Sequence, residues 1–344
     1  MTVADEVRAL RTATALAPGD HVACVRVRGA GAADALDRVS PRALFARTGK
    51  MSHTLLLADD ARPLADVYLC CDEDDYLVLA EGLAAPALID YLAAHAGGLD
   101  VAFEDLTPSH ALVSLNGPYA WELLGELTTP DVIGLPYLGF FHADDFTCFR
   151  GGKTGEFGYE LLIERARLAA VRDRTATVGR RFELAEISLE ALELAQLEAF
   201  FWNARRESPP GVTPIELQLQ WRVGYDRAYP GAAALAERRA NARRRAVLIA
   251  GEREIAGGAA IRVGDREVGA VIHARPSPTR GGWLALALID RAIAHAGLAG
   301  FAAGDVPVHT LSAPSVDNRS LHVDPQRHSF ATRATDVFPP LVRA

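Results

Sequence analysis

The segment that decides the fold is residues 150–161, which read Arg150-Gly151-Gly152-Lys153-Thr154-Gly155-Glu156-Phe157-Gly158-Tyr159-Glu160-Leu161. Glycines punctuate its first half, and glycine lets the backbone take positive φ and approach a ligand closely. The second half enters an apolar strand, Tyr159 to Ile163, in which Glu160 can accept two parallel hydrogen bonds from a flat, amidine-like edge. On its own the segment is more typical of a hairpin turn with solvated acids, so its context has to decide.

The composition excludes several classes of protein. A chain of 344 residues with 49% hydrophobic and 23% charged residues is typical of a soluble protein with two or three structural units. A net charge of -8 with mostly dispersed arginines argues against nucleic-acid binding. The sequence contains no run of about 18 uncharged apolar residues, so no membrane span is predicted. The N-terminus is acidic and lacks the apolar core of a signal peptide. The four cysteines have no zinc spacing, so we expect buried, reduced thiols, no metal and a cytoplasmic location.

One strand–glycine–helix pattern occurs twice along the chain. Strand-like residues 21–28 and 110–116 each lead into a glycine, Gly29 and Gly117, and an alanine three residues later opens a helix. This recurrence predicts an internal duplication of a β-α unit, although chance similarity is the alternative.

The remaining pattern predicts an α+β fold. Short strands at residues 53–80 form an antiparallel meander, and helices lie to one side of mixed strands. A further apolar helix is expected over residues 188–202. From about residue 242 short strands with glycine-rich turns predict an all-β barrel or sandwich. We therefore divide the chain into residues 1–240 (two interleaved α+β subdomains), 241–314 (a β-barrel) and 315–344 (an extended arm, or else a partly disordered tail).

Four landmarks in register resemble one family, the glycine-cleavage T-protein family of tetrahydrofolate-dependent aminomethyltransferases and related demethylases. They are Leu112-Val113-Ser114-Leu115-Asn116-Gly117-Pro118-Tyr119-Ala120, Thr154-Gly155-Glu156-Phe157-Gly158-Tyr159-Glu160, Thr213-Pro214-Ile215-Glu216-Leu217-Gln218-Leu219-Gln220-Trp221 followed by Tyr229-Pro230-Gly231, and Ser277-Pro278-Thr279. The resemblance covers about residues 20 to 312 and implies a ring of three domains around a central folate pocket.

The resemblance also implies site residues. Asp66 matches the family's catalytic aspartate, although an exposed position on an edge strand is the alternative. Glu160 matches the glutamate that grips the pterin. Trp221 matches a family tryptophan and is expected to line the pocket, with core packing as the alternative. Lys153 is expected to neutralise an acidic substrate or the folate's glutamate tail, unless it is a plain surface lysine.

Departures from the family pattern predict a specialised member. Lys153 replaces an aromatic residue, and the helix around Glu198 lacks two family arginines. We expect transfer of a methyl, methylene or aminomethyl group between a small N- or O-linked substrate and tetrahydrofolate, in a monomer or weak homodimer without a lipoyl carrier protein. The alternatives are a folate-binding accessory protein without catalysis, and a member that has lost folate and catalyses another reaction in the same pocket.

Overall fold

The computed structural model describes residues 1–45 and 47–342, which fold into two sheets, a barrel and helices packed against them. In chain order the strands are β1 (Thr14–Pro18), β2 (Val22–Arg28), β3 (Lys50–Leu57), β4 (Pro63–Cys71), β5 (Asp75–Glu81), β6 (Ala102–Asp105), β7 (His110–Asn116), β8 (Phe140–His142), β9 (Thr147–Gly151), β10 (Gly158–Glu164), β11 (Leu184–Glu186), β12 (Arg244–Gly251), β13 (Ala260–Val263), β14 (Arg266–Pro276), β15 (Trp283–Asp290), β16 (Phe301–Ala303) and β17 (Val306–Leu311). The helices are α1 (Val3–Thr12), α2 (Ala32–Val39), α3 (Ala85–Ala96), α4 (Ala120–Leu127), α5 (Arg165–Gly179), α6 (Leu189–Glu198) and α7 (Ala232–Asn241).

The predicted α+β architecture with a C-terminal barrel is confirmed. The first sheet has the order β3-β4-β5-β2-β6, and the second has the order β11-β1-β7-β10-β9-β8. The third unit is a closed barrel, β12-β15-β14-β13-β16-β17, which leaves no free edge. Among the residues that the structure describes, no helix combines the length and apolar character needed to cross a bilayer.

Apolar layers join these units. Tyr68 and Leu79 of the first sheet pack in one buried cluster with Leu112 and Phe149 of the second sheet. A separate cluster joins the first sheet to the barrel through residues that include Leu55 and Leu286. The two sheets therefore face each other across a shared layer, and the barrel is fixed against the first of them.

The repeated pattern has the predicted local structure in both copies. After β2 the chain turns at Gly29 (φ 113°), and after β7 it turns at Gly117 (φ 125°). A Cβ atom at either glycine would lie 2.4 Å from a backbone carbonyl oxygen, so only glycine permits the close approach. The helices α2 and α4 then begin at Ala32 and Ala120, as the pattern predicts.

The structure corrects the predicted end of the helix over residues 188–202 and shows how the C-terminal arm packs. The helix expected over residues 188–202 ends at Glu198, because Phe200 takes a left-handed conformation (φ 60°) that a helix cannot include. Residues 315–342 form an arm packed on the body, in which the buried Phe330 makes edge contacts with the rings of Tyr119 and Phe182. Residues 343 and 344 of the expected arm lie outside the described residues.

A buried arginine ties four parts of the chain together. Arg11 of α1 donates hydrogen bonds to Thr154 O (2.6 Å) and to Asn318 Oδ1 (2.8 Å). Its guanidinium also lies 3.1 Å from Glu198 Oε2 and 3.3 Å from Glu156 Oε1, and all three charged side chains are fully buried. The arm, α1, α6 and the turn at residues 152–157 are therefore held at one point.

We predict that Arg11→Met lowers the free energy of unfolding by about 3–5 kcal/mol, because it leaves two buried carboxylates without their cation. Arg8→Met on the same helix is the control; its side chain is 70% exposed, so it should change the free energy by no more than about 0.5 kcal/mol. Urea unfolding of both variants measures the difference. Equal, small effects would contradict a structural role for the Arg11 contacts.

Candidate functional site

A cavity between the two sheets brings together residues from both. It is lined by Asp66 and Glu81 of the first sheet, by Ser114 and Glu160 of the second, and by Lys153 of the turn after β9. The other lining residues are His21, Val22, Tyr68, Leu79, Leu112, Asn116, Gly152, Thr154, Leu192 and Gln196. About 570 Å³ of space lies between the lining atoms, part of it open to solvent.

Asp66 reaches the cavity because of its place on β4. This strand lies between β3 and β5, and Asp66 pairs in register with Leu55 on one side and Glu81 on the other. The side chain is buried, with 2% of the residue exposed. The alternative of a water-facing aspartate on an edge strand is therefore wrong.

Three basic side chains surround the Asp66 carboxylate. Arg222 Nη1 donates to Oδ1 at 2.7 Å, His53 Nε2 lies 2.6 Å from the same oxygen, and Lys153 Nζ lies 2.9 Å from Oδ2. Burial by itself raises the pKa of Asp66, but Arg222, His53 and Lys153 outweigh it and hold the pKa well below its usual value. An ionised carboxylate can only accept, so the His53 Nε2 carries the proton of that hydrogen bond.

The second oxygen of Asp66 keeps capacity for a ligand. Oδ2 is in an ion pair with Lys153, but it accepts no hydrogen bond of good geometry within the described residues. Buried polar atoms without a hydrogen bond are uncommon in folded proteins and often mark functional sites. Asp66 therefore keeps one buried, ionised oxygen, paired with the Lys153 ammonium, beside the cavity that the residue lines.

Lys153 is committed to two carboxylates. Its Nζ donates to Glu81 Oε2 at 2.5 Å in addition to its contact with Asp66, and only 14% of the side chain is exposed. Burial lowers the pKa of Lys153, but the two acids outweigh this and raise it, so the lysine stays charged. The alternative of a plain surface lysine is wrong, and most of its charge is already balanced inside the protein.

A chain of hydrogen bonds orients Glu160. Thr154 Oγ1 donates to Asn116 Oδ1, Asn116 Nδ2 donates to Ser114 Oγ, and Ser114 Oγ donates to Glu160 Oε1 at 2.8 Å. In the part of the chain that the structure describes, the Glu160 side chain accepts no other hydrogen bond. Burial raises the pKa of Glu160 to about 7, against the opposing effects of Ser114 and Lys153.

Trp221 lies outside this cavity. It is 57% exposed and lines a neighbouring cleft together with Phe200 and Phe201. The guanidinium of Arg222 lies 4.8 Å from the Trp221 ring centroid on one side, while its Nη1 reaches Asp66 on the other. The position of Trp221 does not support its predicted role as a wall of the ligand cavity, and the alternative of core packing is wrong.

Several residues in or next to the cavity were not identified from the sequence. His53 is on a predicted strand, Glu81 stands beside another one, and Arg222 directly follows a family motif, yet nothing local shows that they meet Asp66. His21 also lines the cavity, and its buried Nδ1 has no hydrogen-bond partner within residues 1–45 and 47–342. Burial lowers the pKa of His21. The only sequence signal for the site was the alternation of side chains along β4, which puts Leu64, Asp66 and Tyr68 on one face of the strand.

Comparison with known proteins gives a consistent result. The GCVT N-terminal domain family matches residues 1–227 of the chain. A protein named aminomethyltransferase from Mycobacterium leprae is 31% identical over 298 residues, which is 83% of this chain and 80% of the relative. One of the same name from Streptomyces avermitilis is 29% identical over 310 residues, covering 86% and 83%.

A solved structure has the same fold. The glycine cleavage system aminomethyltransferase T from Bartonella henselae superposes with a TM-score of 0.79 and covers 92% of this chain and 90% of its own. Its sequence identity to this chain is 23%. The likeness therefore shows the arrangement of two sheets and a barrel.

We predict that Glu160→Gln changes how stability depends on pH. The folded-state pKa of about 7 lies above the ordinary 4.5, so the native protein holds a proton that the unfolded chain releases between these values. Ionisation of Glu160 therefore costs stability progressively as the pH rises from about 4.5 to 7. The variant should gain up to about 3 kcal/mol relative to the wild type across that range.

Urea unfolding at pH 5 and pH 8 measures this effect. Glu164→Gln, on the exposed end of the same strand, is the matched control and should follow the wild type. Parallel stability curves for wild type and Glu160→Gln would show that Glu160 has an ordinary pKa.

Proposed function

The chain belongs to the glycine-cleavage T-protein family, whose GCVT N-terminal domain it carries, and on that premise we propose a tetrahydrofolate-dependent one-carbon transferase. In this proposal the enzyme moves a methyl, methylene or aminomethyl group between a small N- or O-linked substrate and tetrahydrofolate. The observation that carries the proposal is that Asp66 and Glu160, from different sheets, line one cavity. Tetrahydrofolate supplies the nitrogens that accept or release the one-carbon group.

The cavity has the features that a reduced pterin requires. Apolar side chains such as Val22, Leu79 and Leu112 provide walls for a flat ring system. Glu160 provides an acceptor oxygen that no protein group occupies among the described residues. Asp66 Oδ2 provides a second, buried acceptor, which it shares with the Lys153 ammonium. These residues therefore fit the group, and Tyr68 adds an aromatic ring to the same wall.

Glu160 is proposed to bind and orient the pterin. The 2-amino group and N3–H of a pterin are two parallel donors, and one ionised carboxylate can accept both. The hydrogen bond from Ser114 fixes one oxygen in place before binding. Because ligand donors favour the ionised form, Glu160 releases its proton when the site is filled near pH 7.

Asp66 is proposed to stabilise positive charge on the reacting groups. Arg222 and His53 fix its orientation through Oδ1, and the basic neighbours keep the carboxylate ionised. A fixed negative charge in a site of low polarity stabilises a cationic nitrogen or iminium carbon that develops in the transition state. Asp66 is not a general base in this proposal, because its pKa is held well below the ordinary value.

The one-carbon donor is proposed to be a small molecule of a specialised pathway. Lys153 stands where the family has an aromatic residue, and its positive charge is paired with Asp66 and Glu81. The helix arginines that the family carries are absent, and Glu198 instead pairs with Arg11. These differences support a donor other than a lipoyl carrier protein. We further propose that the enzyme is a cytoplasmic monomer or weak homodimer.

The decisive experiment is a titration with tetrahydrofolate, followed by assays of candidate methyl and aminomethyl donors. Formation of 5-methyl- or 5,10-methylene-tetrahydrofolate supports the proposal. Binding with no turnover of any donor would favour an accessory protein without catalysis. Absence of binding would favour a family member that uses the cavity for another reaction.

We predict that Asp66→Asn lowers turnover by about 10²- to 10³-fold, because the fixed negative charge is lost while the side-chain shape is kept. The affinity for tetrahydrofolate, measured by calorimetry on the same sample, should stay within a few-fold and shows that the cavity is folded. Full turnover in this variant would remove Asp66 from the mechanism.

We predict that Glu160→Gln weakens tetrahydrofolate binding by tenfold or more, because the amide offers one acceptor oxygen where the carboxylate offers two. Wild-type affinity should fall about tenfold per pH unit below pH 7, where the carboxyl must first lose a proton, and the variant should lose this dependence. Glu164→Gln is again the control. Unchanged affinity in Glu160→Gln would contradict a pterin contact.

A further inference from the structure

We propose that a second cleft beside the ligand cavity binds an anion that carries several carboxylates. The arginine cleft, as we define it, is lined by Arg62, Arg205, Arg206 and Arg244. It lies between the adjoining ends of β4 and β5 in the first sheet, the segment after α6 and the barrel. About 1450 Å³ of space lies between its walls, part of it open to solvent.

The charge of the arginine cleft is one-sided. Among the described lining residues there is no aspartate or glutamate. Arg62 and Arg244 make no ion pair with any residue that the structure describes. A concave surface lined by cations of one sign concentrates anions and offers them charge-assisted hydrogen bonds.

The other two arginines are held in place by a buried acid. Arg205 and Arg206 both pair with Glu193, which is 3% exposed. Glu193 does not line the cleft, and it takes Nη2 of Arg205 and both Nε and Nη2 of Arg206, while the Nη1 groups of the two arginines make no hydrogen bond with the described residues. This arrangement presents arginines that are already oriented before a ligand arrives.

A neutral donor adds to these cations. Ser208 lines the same cleft, and its buried Oγ has no hydrogen-bond partner within residues 1–45 and 47–342. A buried hydroxyl without a partner costs free energy unless a ligand or water satisfies it. This observation points to a polar ligand independently of the arginines.

The arginine cleft adjoins the ligand cavity. Leu64 lines the cleft and Asp66 lines the cavity, on the same face of β4 and about 7 Å apart along the strand. Glu81 lines the cavity, and the next residue, Gly82, lines the cleft. Arg205 joins the two, because it lines the cleft and its Nε lies 3.3 Å from Glu81 Oε1.

Gly82 keeps the arginine-bearing segment close to the sheet. It has a φ of 115°, and a Cβ atom there would lie 2.4 Å from Leu64 O and 2.9 Å from the Ala204 Cβ. The close approach places the following residues, Arg205 and Arg206, over the end of β4 and β5. A ligand that leaves the cavity along this edge meets the arginines next.

Two sources could supply carboxylates here. One is the chain of γ-linked glutamates of a folate whose pterin occupies the cavity, and this form rests on the proposed function. The other is a separate polycarboxylate that binds without a folate. Both share the same chemistry, and binding measurements distinguish them.

The test uses calorimetric titration of the full chain with three probes: tetrahydrofolate monoglutamate, tetrahydrofolate triglutamate and free γ-linked triglutamate. The variant is Arg62→Gln/Arg244→Gln, which touches neither Asp66 nor Glu160. The matched control is Arg180→Gln/Arg262→Gln, which removes two exposed arginines that do not line either pocket. Each titration is made at low and at high salt.

We expect the wild type and the control to bind the triglutamate form at least tenfold more tightly than the monoglutamate form. This gain should shrink at high salt and should disappear in the cleft variant, whose monoglutamate affinity stays unchanged. In another outcome, free triglutamate binds the wild type but not the cleft variant, and neither folate binds. This result would support the arginine cleft and contradict the proposed function. Equal affinities for both folates with no binding of free triglutamate would overturn the cleft and leave the proposed function standing.

Discussion

Asp66 is a carboxylate buried in the middle of a sheet, and a buried charge persists only when opposite charges reach it. Two cations reach it, Lys153 from the turn after β9 of the second sheet and Arg222 from the segment between α6 and α7. His53 of the neighbouring strand, whose pKa burial lowers, adds a hydrogen bond. The first two units and the segment that leads toward the barrel must therefore dock together before the charge of Asp66 is satisfied. The fold and the site depend on the same contacts.

The surroundings of Asp66 and Glu160 shift the pKa values of these two cavity carboxyl groups in opposite directions. Guanidinium and ammonium groups lie against Asp66 and lower its pKa, whereas Glu160 has burial and a single hydroxyl donor, so its pKa rises to about 7. Environments that separate the pKa values of neighbouring acids commonly divide their chemical roles. A permanently charged group and a group that titrates near neutrality are thus available to one ligand.

Sequence reasoning succeeded where the cause is local. The turns at Gly29 and Gly117 follow from the absence of a Cβ atom, and the motif that contains Glu160 identifies the strand and the family together. The ion pairs of Lys153 and Arg222 with Asp66 could not be predicted, because they depend on strand register and on docking between units far apart in sequence. A motif likewise does not say which way a side chain faces, which is why Trp221 was expected in the cavity.

The contact between Arg11 and Asn318 joins residues 307 positions apart. Glu156, in the turn that precedes Glu160, takes its remaining hydrogen bonds from Arg319 N and from Ser320. During synthesis on the ribosome, both sheets and the barrel emerge while this acid still lacks those donors. Residues 319 and 320, which complete the binding turn, therefore follow both sheets and the barrel along the chain, so a product that stops before them has most of the scaffold without a finished site.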